Sequence, residues 1–434
     1  MQLNSLRGLK VYTPIILVQI YLIGTIILYS FGPLQWDTNN KVNFYILIFL
    51  YQFSLLFGYI SGVKIKNTRK SINIEKKKLE KYLTICLILN IIITLLMTVR
   101  LSGMNNISIA ELYENFINGI TNPEVQYNSK FNSVIYGGKL LTYCSVILSP
   151  ITWTSIPLGL YYFKKISPKI DILLISAIVF EVMHWIIRGT NKGLFDLLIM
   201  IISIQMLKTM RVKNKKRINL KSKIIIFLCV YFVLSFFIKN IMGRIGGNIS
   251  ILSQINGGTT IDTNKGLLLY LPSWINTLLI LLSSYLTQGY YAMSMAINIP
   301  HTPMFGVGHS IFLIENIKEL IGVDLFKYTY QFKLEDFGWD SRVNWHTLYM
   351  WIANDVNFIG VVLVMFLLGY LFAVLVKDFM KNESEISICL LVLFTIMFIY
   401  IPANNQIGTS PYTAISFLVL MILWFVKKYN IKVK

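Results

Sequence analysis

The chain is short of charge. Only 14% of its 434 residues are Asp, Glu, Lys or Arg, and 55% are hydrophobic; ordinary soluble domains run at roughly 25% charged. That balance excludes a water-soluble enzyme, whose surface would need far more polar cover. Acidic residues are scarcest, 20 against 40 Lys and Arg, for a net charge of +20. The four cysteines, Cys86, Cys144, Cys229 and Cys389, are scattered through apolar stretches. They offer neither a disulfide framework nor a metal-site spacing and read as small packing residues. There is no Gly-rich phosphate loop ending in Lys-Ser or Lys-Thr and no Asp-x-Asp pair. Those absences argue against ATP-driven transport and against use of a cytosolic nucleotide sugar by this chain alone. No internal repeat is evident, which weighs against an inverted-repeat transporter. The first apolar stretch is too long for the core of a cleavable signal and lacks a small-residue cleavage site, so it reads as an uncleaved anchor.

Long blocks of Ile, Leu, Phe and Val are what the chain does have. They predict an all-α polytopic integral membrane protein with about ten (10–12) transmembrane helices, because only helices satisfy their backbone within one segment in lipid. The expected spans lie at about 13–32, 43–63, 82–99, 139–163, 171–187, 194–207, 224–242, 347–376, 386–401 and 412–426. Most basic residues fall in alternate loops, eight each in 64–81 and 208–223, and the positive-inside rule makes that side cytoplasmic. Both termini are then cytoplasmic, in a bacterial plasma (inner) membrane, and the opposite face is slightly acidic. The charge therefore meets anionic lipid and no nucleic acid. Three regions follow: helices 1–7 with an outer loop at 100–138 (1–242), a large extracytoplasmic loop (243–346), and helices 8–10 with the C-terminus (347–434). Inside the large loop, 267–299 is apolar enough to cross. A single crossing would put the Lys-rich C-terminus outside. Pro272, Gly289 and Tyr290–Tyr291 favour a broken, interfacial or re-entrant element, with a double crossing as the alternative.

The longest cytoplasmic loop has 18 residues (64–81), too few for a catalytic domain. Chemistry is expected on the outer face, where the loops are long and no ATP is available. An activated donor must arrive there already energised, as a lipid-linked pyrophosphate does. Four clusters are candidates. Glu181, His184 and Arg188 share a helix face, followed by the turn Arg188-Gly189-Thr190-Asn191-Lys192-Gly193 and by Asp196. Arg188 and Lys192 could hold phosphate oxygens; the bland alternative is lipid-facing cations with Glu181–His184 a satisfied internal pair. Lys239 and Arg244 leave helix 7 as a second basic group, and Lys239 could simply snorkel. His301 and His309 sit in a Pro/Gly-framed turn as acid–base candidates or as surface histidines. Without a third ligand nearby, no metal is expected. Finally, Asp336, Asp340, Arg342 and His346 concentrate charge before helix 8. Trp339, Trp345 and Trp351 offer faces for sugar stacking or membrane anchoring, and Asp355 is a carboxylate within the helix that needs a partner.

With its large outer loop before the last three helices, the chain resembles the Wzy-type O-antigen or capsular repeat-unit polymerases. The local likeness is Arg-Gly-x-x-Lys-Gly at 188–193, Gly-Tyr-Tyr at 289–291, Phe-Gly-Val-Gly at 305–308, and Trp345-x-Thr347 leading to Asp355 and Gly360. Where the family often carries Asp-Phe-Gly-x-x-Gly, this chain reads Asp355-Val356-Asn357-Phe358-Ile359-Gly360. The resemblance implies a cofactor-free, metal-independent glycosyltransferase. It would move a growing glycan from undecaprenyl pyrophosphate onto a hydroxyl of an incoming lipid-linked repeat unit, working with a flippase and a chain-length regulator. Arg188, Lys192 and Arg244 would then hold the diphosphate. His301 or His346, oriented by Asp336 or Asp355, would take the acceptor proton, with Arg342, Trp345 and Tyr291 as further substrate contacts. An O-antigen-ligase-like transferase and a polysaccharide flippase or other transporter are the alternatives.

Overall fold

Apolar length decides the architecture. The computed structural model describes residues 2–65, 75–104, 107–133, 139–211, 220–262 and 270–429. The basic stretches 66–74 and 212–219, residues 267–269 and parts of the loop 100–138 lie outside the described residues. In chain order the helices are α1 Gln2–Phe31, α2 Lys41–Lys64, α3 Lys76–Leu101, α4 Ile109–Thr121, α5 Pro123–Ser133 and α6 Lys139–Tyr162. There follow α7 Pro168–Ile187, α8 Lys192–Arg211, α9 Leu220–Arg244, α10 Ser250–Ile255, α11 Ser273–Ala296 and α12 Ile311–Ile321. The last are α13 Tyr330–Lys333, α14 Leu348–Asn382, α15 Glu385–Ile399, α16 Gln406–Thr409 and α17 Pro411–Tyr429. Among the described residues the strands are one short antiparallel pair, β1 Leu34–Gln35 and β2 Thr260–Ile261, with Leu34 opposite Ile261.

Among the described residues eight helices are long and apolar enough to cross a membrane: α1, α2, α3, α6, α7, α8, α9 and α14. This is an α-helical membrane protein. Of the ten expected spans, the last two correspond to the shorter apolar helices Glu385–Ile399 and Pro411–Lys427. The segment 267–299 differs from expectation. From Ser273 to Ala296 it is one unbroken helix, with Pro272 at its N-cap. It is also not among the eight helices apolar enough to cross. Its buried side carries Ser283, Ser284, Thr287, Gln288 and Ser294, which lowers its hydropathy. Gly289 marks no break either: a Cβ there would collide with the Pro402 carbonyl.

The chain forms two compact units. The first comprises Met1–Arg69, Ile249–Lys381 and Leu393–Ala414. Within it, α2 lies on α14 through glycine. A Cβ on Gly58 would strike the Phe366 carbonyl, one on Gly369 would strike the Leu55 carbonyl, and Gly62 faces Tyr370. Small residues four apart let helix backbones approach where lipid gives no hydrophobic drive to associate. Hydroxyls complete the packing: Tyr51 donates to the Phe358 carbonyl at 2.6 Å and Ser54 to the Val362 carbonyl at 2.6 Å. α14 is not continuous. Asn357 has φ 58° and ψ 175°, so two helical pieces meet there, and its Oδ1 accepts the Gly360 N–H at 2.9 Å as a cap for the second piece.

The second unit comprises Lys70–Asn248, Asn382–Val392 and Ile415–Lys434. In it α3 packs against α6 and α7, while α4 and α5 cover the ends of α7 and α9. Ile186, Leu194, Leu198, Val233 and Phe236 form a core cluster between α7, α8 and α9. Ser167 and Pro168 start α7, Pro at the first helical position costing no hydrogen bond.

Candidate functional site

In the second unit, the expected basic turn is built by the end of α7. Arg188 caps that helix, and its backbone N–H reaches the His184 carbonyl at 3.0 Å. Gly189 then turns the chain with φ 65°. A Cβ there would collide with the Pro123 carbonyl of α5, so glycine is required twice over, by conformation and by space. Arg244, at the end of α9, reaches the same turn. Its Nη2 donates to the Gly189 carbonyl at 3.0 Å, its Nε to Asn240 Oδ1 at 3.0 Å, and its guanidinium lies 3.8 Å from the Tyr127 ring centroid. Buried Asn240 donates to the Gly189 carbonyl at 2.9 Å and to Asn191 Oδ1 at 3.1 Å. Lys192 pairs with Asp196 at 3.4 Å.

The three cations are therefore unequal. Arg244 spends part of its donor set on holding the turn, and Lys192 is half neutralised. Arg188 lies 5.4 Å from the Trp185 ring centroid and has no acceptor among the described residues. Burial pulls its pKa below the ordinary guanidinium value. Beside it Thr190 Oγ1 and Gln126 Oε1 are buried without hydrogen-bond partners. Lys239 is exposed. Glu181 and His184 do not pair with each other. Glu181 accepts from Trp185 Nε1 at 2.8 Å, and His184 Nδ1 meets Thr98 Oγ1 at 2.8 Å, so each is satisfied separately.

In the first unit, Asp355 finds its partners in the loop 300–309. Its Oδ1 accepts the backbone N–H of Gly306 at 2.9 Å and of Gly308 at 2.8 Å, and its Oδ2 accepts the His309 N–H at 3.0 Å. The same Oδ2 is 3.0 Å from His309 Nδ1. His309, not His301 or His346, is thus the imidazole that a carboxylate orients. Its side chain is 43% exposed, so the ring is not closed off by its own fold. The sequence signal was the Gly306-Val307-Gly308 run, whose free amide hydrogens wrap an anion.

The remaining candidates separate. His301 Nε2 lies 3.1 Å from the Asn354 carbonyl, and its ring stacks on Tyr330. His346 is only 3% exposed, its Nε2 has no partner, and burial pushes its pKa down to about 3. An imidazole that deep and that reluctant to protonate is unsuited to acid–base work on a substrate. Asp336 is exposed on a short 3-10 turn, Leu334–Phe337, and orients none of the three histidines. Arg342 is exposed, with its backbone N–H on Asp340 Oδ1 at 2.8 Å. Trp345 is half-buried, its backbone N–H on Gln288 Oε1 at 3.0 Å and its ring 6.0 Å from that of Tyr285. Tyr291 stacks on Trp36, centroids 5.0 Å apart, and meets Trp339 edge-on at 5.5 Å. Trp339 and Trp351 are buried, which makes them packing residues. Among the described residues no group of three or more His, Cys, Asp or Glu could hold a metal ion. Comparison of the chain with family models, with curated proteins and with solved structures finds no match.

Proposed function

We propose that this chain polymerises lipid-linked oligosaccharide repeat units at the outer face of a bacterial plasma membrane, as a Wzy-type glycosyltransferase. The observation that carries the reading is Arg188. Among the described residues it is a guanidinium without an acceptor, beside Arg244 and Lys192, on a turn between two apolar helices. Leaving a cation unpaired is costly in a protein and pays off when an anion completes it. A polyprenyl pyrophosphate meets that need from the membrane side. In the reaction, an acceptor hydroxyl oxygen bonds to the donor's anomeric carbon. The bond from that carbon to the pyrophosphate oxygen breaks, its electron pair leaving with the diphosphate. The hydroxyl proton passes to a general base.

The test is reconstitution of the protein in vesicles with a lipid-linked repeat unit. Arg188→Gln lowers the elongation rate on the order of a hundredfold, as loss of a charge-stabilising donor does elsewhere. Elongation at the wild-type rate in that variant would sink the diphosphate role. In a deletion strain, accumulation of single-repeat glycolipid favours polymerisation over ligase-like transfer.

A further inference from the structure

The first unit holds an open cavity of about 720 Å³, within the range of small-molecule sites. Its lining combines the phenol ring of Tyr291 with the amides Asn39, Asn40 and Asn298, the ammonium of Lys333 and the carboxylate of Asp336. Met295, Ile299, Pro300 and Phe337 supply apolar wall. Tyr291 is half-buried and packs against two indoles, which restrict its rotamers. Burial and the Asp37 carboxylate hold its phenol above the usual pKa, so the hydroxyl stays a donor.

The charges narrow the ligand. Lys333 is already spent in part, donating to the Pro300 carbonyl at 2.8 Å and to Thr302 Oγ1 at 2.9 Å. Asp336 is exposed and has no hydrogen bond or ion pair among the described residues. Lys333 and Asp336 thus put one charge of each sign on the wall, which favours a ligand without net charge. The amide rim is set in place, Asn298 Nδ2 donating to Asn40 Oδ1 at 3.0 Å. An apolar ring face beside amides and a carboxylate matches a ligand with one C–H face and a rim of hydroxyls.

We infer that this cavity is a glycan subsite, taking uncharged pyranose rings with one face on Tyr291 and hydroxyls on Asn39, Asn298 and Asp336. Naming it the acceptor's subsite rests on the glycosyl-transfer reading; the sugar-binding claim does not. Saturation-transfer NMR on the full chain in detergent tests it, with methyl glucoside, methyl galactoside and methyl N-acetylglucosaminide as probes. At least one glycoside receives saturation on the protons of a single ring face. Its affinity falls roughly tenfold in Tyr291→Leu, a loss of the size expected for one aromatic contact. Asp336→Asn, whose exposed side chain leaves folding untouched, also weakens it. No saturation for any probe, or undiminished saturation in both variants, overturns the subsite. So does displacement of the glycoside by inorganic phosphate. Binding without elongation by the wild type would refute the transferase alone; elongation without binding would refute the subsite alone.

Discussion

The carboxylate of Asp355 reaches His309 twice through one oxygen, at 3.0 Å to the backbone N–H and 3.0 Å to Nδ1. A single side chain thus fixes both the path of the loop and the direction of the imidazole. His309→Gln gives up the imidazole contact but keeps the backbone one, so the melting temperature should stay within error. Asp355→Ala should melt measurably lower, because three backbone N–H groups lose their acceptor. Equal losses in the two variants would show that the imidazole holds the loop as firmly as the backbone contacts do.

Arg188 and Arg244 should part company under mutation. Arg244→Gln gives up hydrogen bonds to the Gly189 carbonyl and to Asn240. It should destabilise the protein by about 1–3 kcal/mol in denaturation experiments. Arg188→Gln, which loses no such bond, should unfold like the wild type and show its effect in elongation. Equal destabilisation of both would mean that Arg188 also holds the turn.

His346 makes a pH prediction. Its pKa is held near 3 in the folded state and returns to about 6.5 on unfolding. Below 6.5 the unfolded chain binds a proton that the folded chain refuses. Stability is therefore complete above pH 6.5 and is lost as pH falls toward 3, by about 2 kcal/mol between pH 7 and pH 5. His346→Phe, which fills the same space without titrating, should flatten that part of the thermal-unfolding profile. A profile unchanged by the substitution would show that the imidazole does not carry the effect.

Helix packing in the first unit is checked by adding one methyl group. Gly58→Ala places a Cβ against the Phe366 carbonyl, and backbone cannot step aside. A cost of about 1–3 kcal/mol is expected. Gly24→Ala, on α1 with nothing within 4 Å, should be neutral or slightly stabilising. Indistinguishable melting of the two variants would count against the close approach of α2 and α14.

Much of the architecture was legible because apolar length is a strong signal. The span expected at 194–207 is a helix that runs from Lys192 to Arg211. The spacing Gly58-x-x-x-Gly62 marks a face for close helix packing, but nothing local names α14 as its partner. α11 was harder. Its hydroxyls and amide lie on buried positions, so hydrophobicity alone could not separate a helix buried in protein from one facing lipid. A topology probe at Ser284 would fail for the same reason, since that side chain is 2% exposed and bonded to Asn256; Trp274, 55% exposed, is the better position. The site was legible as a set of residue types but not as pairs. Asp355 needed a partner, yet only the fold brings loop 300–309 to it rather than Asp336 or His346. Arg188 and Arg244 are 56 positions apart, and nothing local ties Arg244 to the Gly189 carbonyl.

The interruption of α14 at Asn357 separates two demands that one regular helix would tie together. In an unbroken helix each residue is turned about 100° from the last, so the side facing the loop would dictate the side facing α2. One residue outside helical geometry resets that phase. The upper piece is then free to aim Asn354 and Asp355 at loop 300–309, and the lower piece to aim Gly369 at Leu55, each at its own azimuth. Substitutions that rotate one piece should leave the bearing of the other unchanged.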